Sequence, residues 1–207
     1  MQAGQPSTEK TTVLDSARTA EGAGPAAVVV ASGKGGVGKS VMTVALGSVL
    51  ADNGRRVLLL DGSQNLGNLH ILLACSEYGR LDALHAGDVV PEDMLIAVSE
   101  NLWLVPSDTG GESVYSLSAI DRARLHYHLT SLYQGFDTVL VDSGPSIEDV
   151  VRHCTIGASG LVVVTIAEPT ALTDAYAVIK IVSTRVPALP IGVLAVSYTH
   201  LRAHETR

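Results

Sequence analysis

A chain of 207 residues, 46% of them hydrophobic, is long enough for one medium-sized domain with a substantial core. Only 4% are aromatic, so that core must be built from Val, Leu, Ile and Ala, the composition of buried parallel strands. A net charge of −7, with no lysine/arginine cluster to offset it, argues against direct nucleic-acid binding. No apolar run reaches membrane-spanning length and no basic-then-apolar signal opens the chain, which leads to the expectation of a cytoplasmic protein. Cys75 and Cys154 stand alone, without C-x-x-C or histidine spacing, and read as reduced thiols.

Residues 1–25 are rich in Ser, Thr, Gly, Ala and Gln and lack periodicity, as expected of a flexible N-terminal tail. A strand is expected at 28–31, then a glycine-rich loop, then a helix over Lys39–Asp52 that Gly54 caps. A second strand, 57–60, closes on Asp61; a short helix follows at 81–85 and a strand at Leu102–Val105. A longer helix, 118–133, begins at Ser118 and stops at Gly135, and a buried strand at 138–141 ends on Asp142. Strands at 161–165 and Ile191–Val196 flank a helix from about residue 170 to 183. Strands alternating with helices predict an α/β fold: a doubly wound, mostly parallel sheet flanked by helices, with ligands at the strands' carboxyl ends. The loops after Ala31, Leu60 and Val141 all lie at such ends.

From Val196 to Thr206 the chain reads Val-Ser-Tyr-Thr-His-Leu-Arg-Ala-His-Glu-Thr and abandons this pattern. The stretch is similar to the translation of a transposase adapter used in sequencing libraries, so residues 196–207 read as a non-native tail. The expected organisation is a 26–195 nucleotide-binding domain, incomplete at its C-terminus, between two tails.

Residues 33–40 read Gly-Lys-Gly-Gly-Val-Gly-Lys-Ser and fit Gly-x-x-x-x-Gly-Lys-Ser/Thr. Gly33, Gly35, Gly36 and Gly38 let the backbone curl so that N–H groups point inward at phosphate oxygens. Lys39 supplies a point charge for the β/γ-phosphates, the Ser40 hydroxyl is placed to ligate Mg²⁺, and the helix start presents its positive end. Asp142 can complete the metal site through a water, and Asp61 is the candidate to orient the attacking water. Lys34, fixed between glycines, is within reach of phosphate charge of its own site or a neighbour's, whereas spacing alone makes Glu168 a weak candidate for a ribose hydroxyl. His126 and His128 lie on different faces of a helix and make no metal pair.

The 33–40 loop resembles the deviant Walker A motif of the MinD/ParA family of P-loop ATPases. The segment Glu-Pro-Thr-Ala-Leu-Thr-Asp-Ala-Tyr-Ala-Val-Ile-Lys at 168–180 is similar to the flagellar-number branch of that family (FlhG, FleN or YlxH), as is Asn-Leu-Gly-Asn-Leu-His-Ile-Leu-Leu at 65–73. The resemblance implies ATP and Mg²⁺ as cofactors and a homodimer closed face to face around two nucleotides, with Lys34 reaching the partner's phosphates. It implies nucleotide contacts from Gly33, Lys34, Gly35, Gly36, Val37, Gly38, Lys39, Ser40 and Val41, catalytic roles for Lys34, Lys39 and Asp61, and metal ligation by Ser40 and Asp142. Glu168 would lie near the ribose at the dimer interface, and Asp174 on a surface that responds to the nucleotide. The branch further implies a partner GTPase of the signal-recognition type and peripheral membrane contact through a C-terminal amphipathic helix beyond this chain.

Two positions depart from the family. Ser63 stands where a second acid usually helps position the catalytic water, so weak hydrolysis is expected. Ser146 stands where the flagellar branch prefers glycine, and the Gly-Pro-Ser order of 144–146 is closer to ParA proteins. The alternatives are a ParA-like DNA or cargo partition ATPase, which this acidic chain disfavours, and a non-hydrolysing ATP-dependent scaffold, which Ser63 makes credible. An iron–sulfur carrier would need cysteine ligands that Cys75 and Cys154 do not supply.

Overall fold

The structure, a computed structural model, describes residues 25–63, 67–75, 94–106 and 127–196. Along the chain run β1 (Ala26–Ala31), α1 (Lys39–Asp52), β2 (Val57–Gly62), the single turn α2 (Leu69–Leu72), β3 (Ile96–Ser99), β4 (Leu102–Val105) and β5 (Thr138–Ser143). Then come α3 (Ile147–Thr155), β6 (Gly160–Ile166), α4 (Pro169–Arg185) and β7 (Ile191–Val196). The strands form one sheet in the order β3-β4-β2-β5-β1-β6-β7. Every pairing is parallel except β3 with β4. This is the mostly parallel, helix-flanked sheet that the alternation of elements predicts.

The central strands are Val/Leu runs because helices cover both of their faces. Successive side chains alternate between those faces. Leu59, Leu102, Leu104 and Leu140 pack with Ala51 of α1, while Leu58, Leu60, Val139 and Val141 pack with Val150 of α3 and Val178 of α4. α1 lies close to the sheet because its inward positions Thr43, Gly47 and Ala51 are small; a Cβ on Gly47 would come 2.7 Å from Leu59 Cδ2. The helix stops as expected at Gly54, whose φ of 79° suits a residue without a side chain. Its N–H donates to the Ala51 carbonyl at 2.9 Å.

Several expected boundaries shift. β1 begins at Ala26 instead of residue 28, because Ala26 and Ala27 pair with Thr138 and Val139. β2 and β5 run on through Asp61 to Gly62 and through Asp142 to Ser143, so both carboxylates belong to strands and are register partners. α4 starts at Pro169, in the first helical turn where a missing N–H costs nothing, and continues to Arg185. Three elements were not expected: the single turn α2, α3 and β3. α3 follows β5 directly; its apolar residues Ile147, Val150, Val151 and Cys154 stand at helical spacing and face the core, a signal present in the sequence but passed over in a segment of only nine residues. β3 is a half-buried strand that turns back on β4 across Glu100 and Asn101, with an irregular register between Ala97 and Ser99. Of the helix expected over 118–133, residues 127–133 are helical; the earlier part, the helix at 81–85, residues 1–24 and residues 197–207 lie outside the described residues.

Candidate nucleotide-binding site

The loop from β1 to α1 curls through Gly36 and Gly38, whose φ values of 81° and 90° fall in the left-handed region. It is pinned at two points. Val37 is 2% exposed and packs with Val30, Val164, Ile166 and Ala171, so its side chain anchors the loop. Gly33 lies so close to α4 that a Cβ there would fall on the backbone of Asp174 and Ala175, 2.6 Å from the Ala175 nitrogen. Val41, the third residue of α1, is exposed.

The first turn of α1 brings Lys39 and Ser40 to Asp142. Lys39 Nζ lies 2.5 Å from Asp142 Oδ1 in an ion pair whose carboxylate is buried. Ser40 Oγ donates to Asp142 Oδ2 at 2.6 Å. Thr43 Oγ1 lies 3.3 Å from Oδ1 and 3.1 Å from the Lys39 carbonyl, and its single hydroxyl proton is shared between these two acceptors. Thr43 went unnoticed in the sequence, although it stands four residues after Lys39 on the same helix face.

Asp61 sits beside Asp142 on the neighbouring strand and is 2% exposed. Its Oδ1 accepts the Ser63 amide and its Oδ2 the Leu69 amide, each at 3.1 Å. Burial pushes its pKa up, the two amides pull it down, and the Asp142 charge raises it further. Asp61 therefore organises the segment after β2, with Ser63 bonded to it through the backbone.

Lys34 and Glu168, read separately in the sequence, meet within one chain. Lys34 Nζ lies 2.8 Å from Glu168 Oε2 and donates to Thr170 Oγ1 at 3.3 Å. Both side chains are partly exposed, so the pair adds little stability. Asp174 is on α4, its backbone against Gly33. Ser146, the residue out of keeping with the flagellar pattern, caps α3 by accepting the Asp149 amide at 3.1 Å. Among the described residues no three His, Cys, Asp or Glu gather as a metal cluster, and no helix is long and apolar enough to cross a membrane. The donors at hand, the Ser40 hydroxyl and the Asp142 carboxylate, are hard oxygens of the kind Mg²⁺ takes when phosphates and waters fill its remaining positions.

The family model for an AAA domain matches residues 26–186. Antiactivator FleN of Pseudomonas aeruginosa is 35% identical over 156 residues, covering 75% of this chain and 56% of FleN. Flagellum site-determining protein YlxH of Helicobacter pylori is 30% identical over 156 residues, covering 74% of this chain and 52% of YlxH. The chain thus spans about half the length of these curated relatives. Among solved structures, the MinC:MinD cell division complex of Aquifex aeolicus superposes with a TM-score of 0.67 at 26% identity, over 82% of this chain and 67% of that one. Cobyrinic acid a,c-diamide synthase of Mycobacterium smegmatis, with a bound ATP analogue and magnesium, gives a TM-score of 0.67 at 27% identity over 83% and 74%. With its phosphate loop, lysine pair and strand-end carboxylates in place, the chain belongs to the AAA domain family as a P-loop ATPase of the MinD/ParA type, in company with FleN and YlxH.

Proposed function

We propose that this protein is an ATP-dependent dimerisation switch that regulates flagellar number or placement and hydrolyses ATP weakly. The observation that carries the reading is the convergence of Lys39, Ser40 and Thr43 on Asp142 at the carboxyl ends of the central strands. ATP enters with its phosphates on the curled loop, where N–H groups, Lys39 and the helix start meet the negative charge. Ser40 and Asp142 would hold Mg²⁺, which would supply neutralisation of phosphate charge. Asp61 orients water, and Lys34 exchanges Glu168 for the phosphates of a second copy. The flagellar process is taken from the likeness to FleN and to the flagellum site-determining protein YlxH; a signal-recognition-type GTPase as partner and a cytoplasmic location with peripheral membrane contact are what the resemblance to the flagellar branch implies.

Isothermal calorimetry of the full-length protein is expected to show magnesium-dependent ATP binding. Light scattering is expected to show dimers with ATP and monomers for Lys34→Ala. Absence of magnesium-dependent binding overturns the proposal. Ser63 also supports a second reading, a scaffold that binds ATP without cutting it. Ser63→Asp is expected to raise turnover about tenfold by adding a second group to hold water. Unchanged turnover would show that another part limits the reaction.

A further inference from the structure

Helix α3 rests on the carboxyl ends of two strands through side chains one turn apart. Asp149 packs on Gly144, just past β5, where a Cβ would lie 3.0 Å from the Asp149 Cγ. Four residues on, His153 covers Gly62 at the end of β2; a Cβ on Gly62 would lie 2.7 Å from Nε2 and 3.1 Å from Cε1 of the ring. The imidazole also hydrogen-bonds the Gly62 backbone. Burial lowers the His153 pKa, which favours a neutral ring that donates one hydrogen bond, and the charged groups around it are Asp149 and Arg152 on its own helix.

Gly62 is the residue between Asp61 and Ser63, and the Ser63 and Leu69 amides donate to the Asp61 carboxylate, as does the Ser63 side chain. A ring that fixes Gly62 fixes the peptide on either side. We propose that His153 is a positioning residue: by tying the end of β2 to α3 it holds the Asp61 carboxylate beside Asp142. The inference rests on the ATPase reading for its catalytic consequence alone. It also makes α3 the element through which a shift at the end of β5 reaches the segment after β2, since Asp149 and His153 ride on one helix.

The test compares His153→Leu, which removes the donor, with His153→Gln, which keeps an N–H at the place of Nε2. Hydrogen exchange of the full-length protein is expected to quicken about tenfold at the Ser63 and Leu69 amides in His153→Leu, with the β1 and β5 amides unchanged, and to return in His153→Gln. The kcat for ATP is expected to fall about tenfold while KM changes less than about twofold. Unchanged protection at Ser63 and Leu69, equal quickening across the whole sheet, or a His153→Gln that behaves as His153→Leu would overturn the proposal. Should His153→Leu fail to fold, His153→Phe keeps a ring over Gly62 without a donor and is expected to give the same exchange pattern. A wild-type protein without turnover would sink the ATPase reading, and the exchange result would still decide whether His153 holds Asp61.

Discussion

Lys39→Ala is expected to weaken magnesium–ATP binding by about 100-fold or more, since a charge-assisted phosphate contact carries about 3 kcal/mol. The same change is expected to lower thermal stability, for a reason independent of nucleotide. Asp142 is 1% exposed, and Lys39 is the cation paired with it. Removing that cation leaves a buried carboxylate held by the Ser40 and Thr43 hydroxyls, with Asp61 on the adjacent strand. Breaking a buried pair on one side costs about 3 kcal/mol, and the two hydroxyls and the part-exposed lysine reduce this to about 2. A loss of about 2 kcal/mol lowers the midpoint by roughly 4–8 °C in a chain of this size. The double variant Lys39→Ala/Asp142→Asn separates the two effects: melting recovers because no charge is stranded, and ATP binding does not. Calorimetric binding and differential scanning calorimetry on the four proteins of this cycle are the measurements. Equal melting of the single and double variants would show that the pair contributes nothing to stability.

Gly33→Ala is expected to damage both stability and ATP binding through a clash with the backbone of α4. The added methyl would overlap the Asp174 and Ala175 backbone. That backbone cannot withdraw easily, because Ala175, Val178 and Val182 hold α4 in the core. The loop must move instead, at a cost of about 1–3 kcal/mol, and its N–H groups then miss the phosphates. The predicted outcome is a lower melting temperature together with ATP binding weakened more than about tenfold. Gly35→Ala is the control: nothing lies within 4 Å of its Cβ position, so its melting temperature should stay near wild type. If the two variants melt alike, the close approach of loop and α4 does not constrain the protein.

Much of this was legible in the sequence, and for stated reasons. The loop is readable because each of its residue types answers a local demand, positive φ at Gly36 and Gly38 and a cation at Lys39. Strands were legible because burial on both faces writes them as unbroken apolar runs, although their ends were not. Asp61 and Asp142 look like terminators in one dimension, yet parallel pairing carries the strands through them. α3 carried its own signal, with Ile147, Val150, Val151 and Cys154 at helical spacing, and went unread because it is only nine residues long. The meeting of Lys34 with Glu168 spans 134 residues and follows from β1 and β6 being neighbours, which no local pattern states.

The alternation of faces along β2 and β5 has a consequence for how this chain tolerates change. Asp61 and Asp142 point to one side of the sheet, and Gly62 and Ser143, their immediate successors, share the other side with α3. The carboxylates and the residues that meet α3 are therefore separated by one peptide unit in each strand. Inserting or deleting a single residue upstream in either strand would trade the two roles, turning a carboxylate into the packed apolar layer and a glycine toward the phosphates. Substitutions in these strands can be absorbed one at a time by repacking, but their lengths are as much a part of the site as its lysines.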